Sequence, residues 1–145
     1  MPLKLLFSVG LIIMTLSTPT EAKEAATSLP LCPNSPNCVS SQADSDHFIA
    51  PFKIKGKPED AFAALKKALS EQSRTVITEA SGTTLHAEAT SLIFRFVDDV
   101  NAILDAESGM IQVRSASRVG YSDFGVNRRR VEALRTALQQ AGAIE

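Results

Sequence analysis

The residues best equipped for chemistry lie near the C-terminus, in RSASRVGYSDFGVNRRR from Arg114 to Arg130. This stretch holds five arginines, three serines, an aspartate and the chain's only tyrosine. Guanidinium groups gathered so densely hold either carboxylates in an internal clasp or an anionic ligand. Arg128, Arg129 and Arg130 sharpen the question. They fall where a helix begins, and cations there oppose the helix dipole. Negative charge is therefore expected close by: Asp123 as a capping carboxylate, Asp98, Asp99 or Glu132 as ion-pair partners, or a bound anion at the helix N-terminus. Clasp and site remain open alternatives at this level.

Other chemistries are less well provided for. Gly120-Tyr121-Ser122-Asp123-Phe124-Gly125 resembles a nucleophile elbow, but its second glycine falls one residue late. A serine nucleophile also needs a base, and the only histidines are His47 and His86, neither placed near Ser122 by the sequence. Asp98 and Asp99 are adjacent, so on a strand they point to opposite sides and do not form an acid–base pair. His86 and Glu88 share a face that solvent explains. There is no phosphate-binding glycine loop and no metal-ligand spacing, so neither cofactor nor metal is expected. After the first 22 residues fourteen Lys and Arg stand against fifteen Asp and Glu, and there is no tryptophan. Neither charge nor aromatic density favours nucleic acid, while membrane contact stays open.

The elements that position these residues follow from patterning. Lys4 precedes an apolar run from Leu5 to Leu16, and a polar stretch ends in Thr20-Glu21-Ala22. That is the layout of a secretory signal peptide over 1–22, cut after Ala22 or else after Ala25 or Ala26; an uncleaved anchor is the alternative. A periplasmic or secreted location is expected. Residues 23–46 read as an extended leader rich in Ser, Pro, Asn and Ala. Within it Cys32 and Cys38 are the only cysteines. An even count in an exported chain points to a disulfide, and five intervening residues is not a zinc spacing.

Residues 47–145 read as a single domain. Phe52–Lys55 is a first strand, limited to an edge by Pro51. Pro58 opens a helix whose stripe is Phe62, Leu65 and Leu69. Arg74–Glu79, Thr84–Thr90, Val100–Asp105 and Met110–Val119 are strands joined by turns at Ser81-Gly82 and Glu107-Ser108-Gly109. Val131, Leu134 and Leu138 mark the last helix, which starts between Asp123 and Asn127. The order is strand, helix, four strands, helix. Consecutive hairpins and two single-faced helices specify an α+β two-layer sandwich, a mostly antiparallel sheet of about five strands with both helices on one face. On the last strand Arg114, Ala116 and Arg118 point away from the core, while Ile111, Val113, Ser115 and Ser117 face it. The second sheet face is bare unless a loop, ligand or partner covers it.

Three blocks of this sequence resemble the Domain of Unknown Function 1499 family. They are Cys32-Pro33-Asn34-Ser35-Pro36-Asn37-Cys38-Val39-Ser40-Ser41, Arg95-Phe96-Val97-Asp98-Asp99-Val100, and Arg114 through Asp123 to Asn127-Arg128. The likeness runs from Leu31 to about Leu138. It implies a small exported or membrane-attached bacterial domain and brings no reaction with it. It groups Arg95, Asp98, Asp99, Arg114, Arg118, Tyr121, Asp123, Asn127 and Arg128 into one constellation, to which the elbow-like loop adds Ser122. The leading expectation is a non-catalytic domain binding a small anionic or amphipathic ligand or a protein partner. The alternative is a hydrolytic enzyme using the Tyr121-Ser122-Asp123 loop.

Overall fold

A computed structural model describes residues 27–145. The signal segment and the proposed cleavage sites lie outside the described residues. The elements in chain order are β1 (Cys38–Ser40), a single 3-10 turn (Ser45–His47), β2 (Phe52–Lys53), α1 (Pro58–Glu71), β3 (Thr75–Ala80), β4 (Thr84–Thr90), β5 (Val97–Asp105), β6 (Met110–Ser117) and α2 (Val126–Gln140). Among the described residues no helix is long and apolar enough to cross a membrane.

The sheet is antiparallel and six-stranded. Its path is β1-β6-β5-β4-β3, with β2 pairing the start of β6 beyond β1. Strand period places Leu85 and Ala87 of β4, Val100, Ala102 and Leu104 of β5, and Ile111 and Val113 of β6 on one face. All are buried. Helix period does the same for Phe62, Leu65 and Leu69 of α1 and Val131, Leu134 and Leu138 of α2, and these stripes close over the sheet as one core. The two-layer α+β sandwich expected from the sequence is therefore the fold.

Strand bounds and count differ from the sequence reading: the strand read as Phe52–Lys55 is Phe52–Lys53, and that read as Arg74–Glu79 is Thr75–Ala80. The sheet has six strands and not about five, because Cys38-Val39-Ser40, inside the stretch read as an extended leader, pairs with Ala116, Ser115 and Arg114. The strand read as starting at Val100 begins at Val97, which brings Asp98 and Asp99 into the sheet. The last strand ends at Ser117, two residues before Val119. The second sheet face is also not wholly bare. Leu29 is buried there, its N–H donating to Gln42 Oε1 at 2.7 Å, and Arg114 donates to the Leu31 carbonyl at 3.3 Å. The leader thus lies across part of the outer face before Cys32, which is joined to Cys38 in a disulfide.

Candidate functional site

The inner side of the strand-to-helix junction is built around Asn127. Helix period makes it the first member of the α2 stripe, four residues before Val131, and it is fully buried. A buried amide requires partners for every polar atom. Its Nδ2 donates to Ser117 Oγ at 2.9 Å, Asp123 Oδ2 at 2.9 Å and the Asn37 carbonyl at 3.2 Å. Its Oδ1 accepts from Ser115 Oγ and from Arg130 Nη1, both at 2.7 Å. Arg130 reaches on to Asp98 Oδ2 at 2.7 Å, a pair whose side chains are 13% and 9% exposed. Asn37, in the disulfide loop, donates to the Gly120 carbonyl at 2.9 Å. The disulfide loop, the ends of β5 and β6 and the start of α2 are thus tied by one hydrogen-bonded network.

Of the three arginines at the helix start only Arg130 takes a carboxylate, Asp98. Gly125, at φ +77, occupies the position before α2, and Asp123 reaches past it. Asp123 accepts the Gly125 N–H at 2.8 Å and the Asn127 N–H at 3.0 Å, so it serves the helix start from two residues before Gly125, which holds the N-cap position the sequence reading offered to Asp123. Burial pushes its carboxyl upward, but the Asn127 backbone and side-chain amides and the Gly125 N–H outweigh that and hold it below the usual range. Arg128 donates to the carbonyls of Asp46 and Phe48, and Arg129 to that of Phe124. Glu132, another proposed partner, holds Arg135 instead.

The outer face carries a second cluster. Asp99 accepts from Arg118 Nε at 2.9 Å and lies 2.7 Å from His86 Nε2. Arg118 also pairs with Glu88, and His86 Nδ1 meets the Thr78 hydroxyl. The Arg118 guanidinium holds the Asp99 carboxyl below its usual range, burial opposes this, and His86 adds to it. Arg118 is raised in turn, chiefly by Asp99 and Glu88. Arg114 lies one cross-strand row away, opposite Asn101, which faces His86. Burial lowers its pKa and Asp99 partly restores it. Among the described residues Arg114 Nε is the one buried side-chain polar atom with no hydrogen-bond partner.

The grouped residues are therefore not one constellation in space. Asp98, Asp123 and Asn127 belong to the inner network, Asp99, Arg114 and Arg118 to the outer face. Arg95, Tyr121 and Ser122 stand on exposed loops, and Arg128 staples the helix to the 46–48 segment. Ser122 Oγ accepts the Phe124 N–H at 3.3 Å and meets no base among the described residues, which leaves the hydrolytic alternative without the pairing it needs. Arg130, Asn37, His86 and Glu88 were missing from the sequence-derived site. One signal for Arg130 was available: two serines, Ser115 and Ser117, on the core-facing side of β6 must be satisfied by something polar above them.

Beside the outer cluster lies an open cleft of about 520 Å³. Its walls are the leader at Ser28-Leu29-Pro30 and the β3–β4 turn from Ser81 to Thr84; its floor includes His86, Asn101 and Ile103.

No curated protein matches the chain. The model of a protein family of unknown function, DUF1499, matches residues 28–138, from the start of the described leader to the last core leucine of α2, and the chain belongs to that family.

Proposed function

We propose that the protein is an exported, non-catalytic domain of the periplasm or of the secreted fraction. It binds a small amphipathic ligand with an anionic head in the outer-face cleft. The carrying observation is the cleft itself. A volume of about 520 Å³ is in the range of small-molecule sites. It combines apolar walls at Leu29 and Pro30 with His86, Asn101 and Ile103 on its floor. The row His86–Asn101–Arg114 continues from that floor to a half-buried guanidinium whose Nε has no hydrogen-bond partner among the described residues. An apolar body against the leader and a carboxylate or phosphate toward Arg114 satisfies both. The arginine-rich junction is the weaker candidate, because its inner cation, Arg130, already has acceptors in Asp98 and Asn127.

Decanoate, decyl phosphate and inorganic phosphate, titrated separately and read by thermal shift, test this. The two amphiphiles raise the midpoint; Asn101→Trp, which fills the cleft without removing a side-chain hydrogen bond, abolishes the rise, and Arg114→Gln weakens it. No rise with either amphiphile, or an undiminished rise in Asn101→Trp, overturns the reading.

A further inference from the structure

One end of the sheet carries apolar side chains that no part of the described structure covers. The β4–β5 loop reads Ser91-Leu92-Ile93-Phe94-Arg95-Phe96 and leaves Leu92 67%, Ile93 78% and Phe94 73% exposed. It is not a slack segment. Ser91 N–H donates to the Phe96 carbonyl at 2.8 Å, Phe96 N–H returns to Ser91 Oγ at 2.9 Å, and the Phe94 and Phe96 rings stack at 5.6 Å. Its base is closed by hydrogen bonds, so its apolar tip is held outward by construction. The β6–α2 loop leaves the sheet beside it, since Arg118 N–H donates to the Val97 carbonyl at 3.1 Å. That loop exposes Val119, Tyr121 and Phe124, the last at 86%. Large apolar groups gathered at one place mark an interaction surface, whereas singly scattered ones do not.

The charge at this end selects the partner. Arg74 and Arg129 line a concavity with Leu92 and Val126, and Arg95 stands inside the apolar tip. Among the described residues none of these three arginines pairs with a carboxylate. The neighbouring carboxylates are already engaged: Asp98 by Arg130, Asp99 and Glu88 by Arg118, Asp123 by the Gly125 and Asn127 amides. Apolar loop tips ringed by unneutralised guanidinium groups match the two components of an anionic bilayer surface, acyl chains below and phosphates around them. Tyrosine and arginine, with apolar bodies and polar ends, suit that boundary.

We propose that this end of the molecule is a membrane-docking tip. It places Leu92, Ile93, Phe94 and Phe124 in the headgroup region of an anionic phospholipid bilayer, with Arg74, Arg95 and Arg129 on the phosphates. The tip is independent of the outer-face cleft, which lies at the β3–β4 turn.

The chain contains no tryptophan, so a single one reports its own position even in the full chain, whatever the N-terminal segment does. Phe94→Trp is added to vesicles of equal parts phosphatidylglycerol and phosphatidylcholine, and to phosphatidylcholine alone. Glu107→Trp, in the turn at the other end of β5, is the control. The expected result is a blue shift and quenching by brominated lipid at position 94, absent at position 107 and weaker without phosphatidylglycerol. Adding Arg95→Gln lowers the apparent affinity about fivefold, the worth of one basic residue at such a surface. Ile93→Trp serves if Phe94→Trp shifts the thermal midpoint. The proposal is overturned by any of four results: no shift at position 94, an equal shift at position 107, no effect of Arg95→Gln, or a blue shift at position 94 on concentrating the protein without lipid. The last would assign the tip to a second copy of the chain.

Discussion

Asp98 and Asp99 are neighbours in β5, and each takes an arginine, yet their surroundings differ in kind. Asp98 turns under α2 and meets Arg130 among buried amides and hydroxyls. Asp99 turns outward and meets Arg118, whose side chain is 42% exposed. A buried ion pair adds little net stability over an apolar pair of the same shape, but breaking one partner is expensive because a charge is left without company. A solvated pair gains and loses little either way. The inner cluster therefore enforces geometry: it fixes where α2, the disulfide loop and β6 meet. The outer cluster adjusts the surface beside a cleft. Alternation along one strand is enough to divide the two roles.

The sharpest way to break this contrast is to remove one inner carboxylate. Asp98→Ala leaves Arg130 buried with only Ser115 Oγ and Asn127 Oδ1 as acceptors. The expected loss is about 3 kcal/mol, the lower end for a halved buried pair. Arg130→Met behaves similarly, and the double variant costs less than the two singles added together. Urea denaturation of the four proteins measures the coupling. Strict additivity would mean that the inner pair is energetically as loose as a surface one.

Next in size is the disulfide. Its loop supplies Asn37, whose carbonyl accepts from Asn127 and whose amide holds Gly120. Cys32→Ser with Cys38→Ser is expected to cost about 2 kcal/mol from loop-closure entropy alone. Because Asn37 belongs to the inner network, the loss adds less than fully to that of Asp98→Ala. Denaturation with and without dithiothreitol gives the same comparison in the natural sequence.

Asp123→Ala follows at about 1 kcal/mol, the usual cost of losing a helix-capping acceptor. The sign of its pH dependence is fixed by the depressed carboxyl. Its contribution is complete above the ordinary value of 3.8 and is lost as the pH falls through the lower folded value. Wild type and Asp123→Ala therefore converge in stability on the acid side of 3.8 and separate above it.

Much of this architecture was readable from patterning because the long elements bury continuous faces. The α1 and α2 stripes and the alternation of β4 need nothing beyond period and hydrophobicity. β1 was unreadable for the opposite reason: three residues among prolines, asparagines and serines carry no period, and only pairing with β6 makes them a strand. Apolar patterning puts the start of β5 three residues late because Asp98 breaks the pattern while occupying an inward position. A charge reads as inward only when its partner is known, and Arg130 lies 32 residues away. Arg130 itself was hidden in a run of three arginines with three different fates: backbone staple, loop contact and buried ion pair. The loop tip at Leu92 to Phe96 is not legible as a surface, because apolar residues in a sequence do not say that nothing covers them.

The smallest expected effect belongs to the outer cluster. Arg118 holds the Asp99 carboxyl down, with burial opposing and His86 assisting. A depressed carboxylate stabilises the fold above the ordinary 3.8 and ceases to do so as the pH falls through its folded value. Asp99→Asn therefore lowers stability slightly near neutral pH and not at all in strong acid. Arg118→Gln reproduces that profile. Both differences shrink in concentrated salt, where the screening length falls to about 3 Å at 1 M, while the Asp98→Ala loss persists because its pair is shielded from solvent. Denaturation of these variants with and without added salt decides the matter. If Asp99→Asn costs as much as Asp98→Ala and resists salt equally, the outer cluster is a structural lock like the inner one. The cleft beside it would then border a rigid frame, not an adjustable surface.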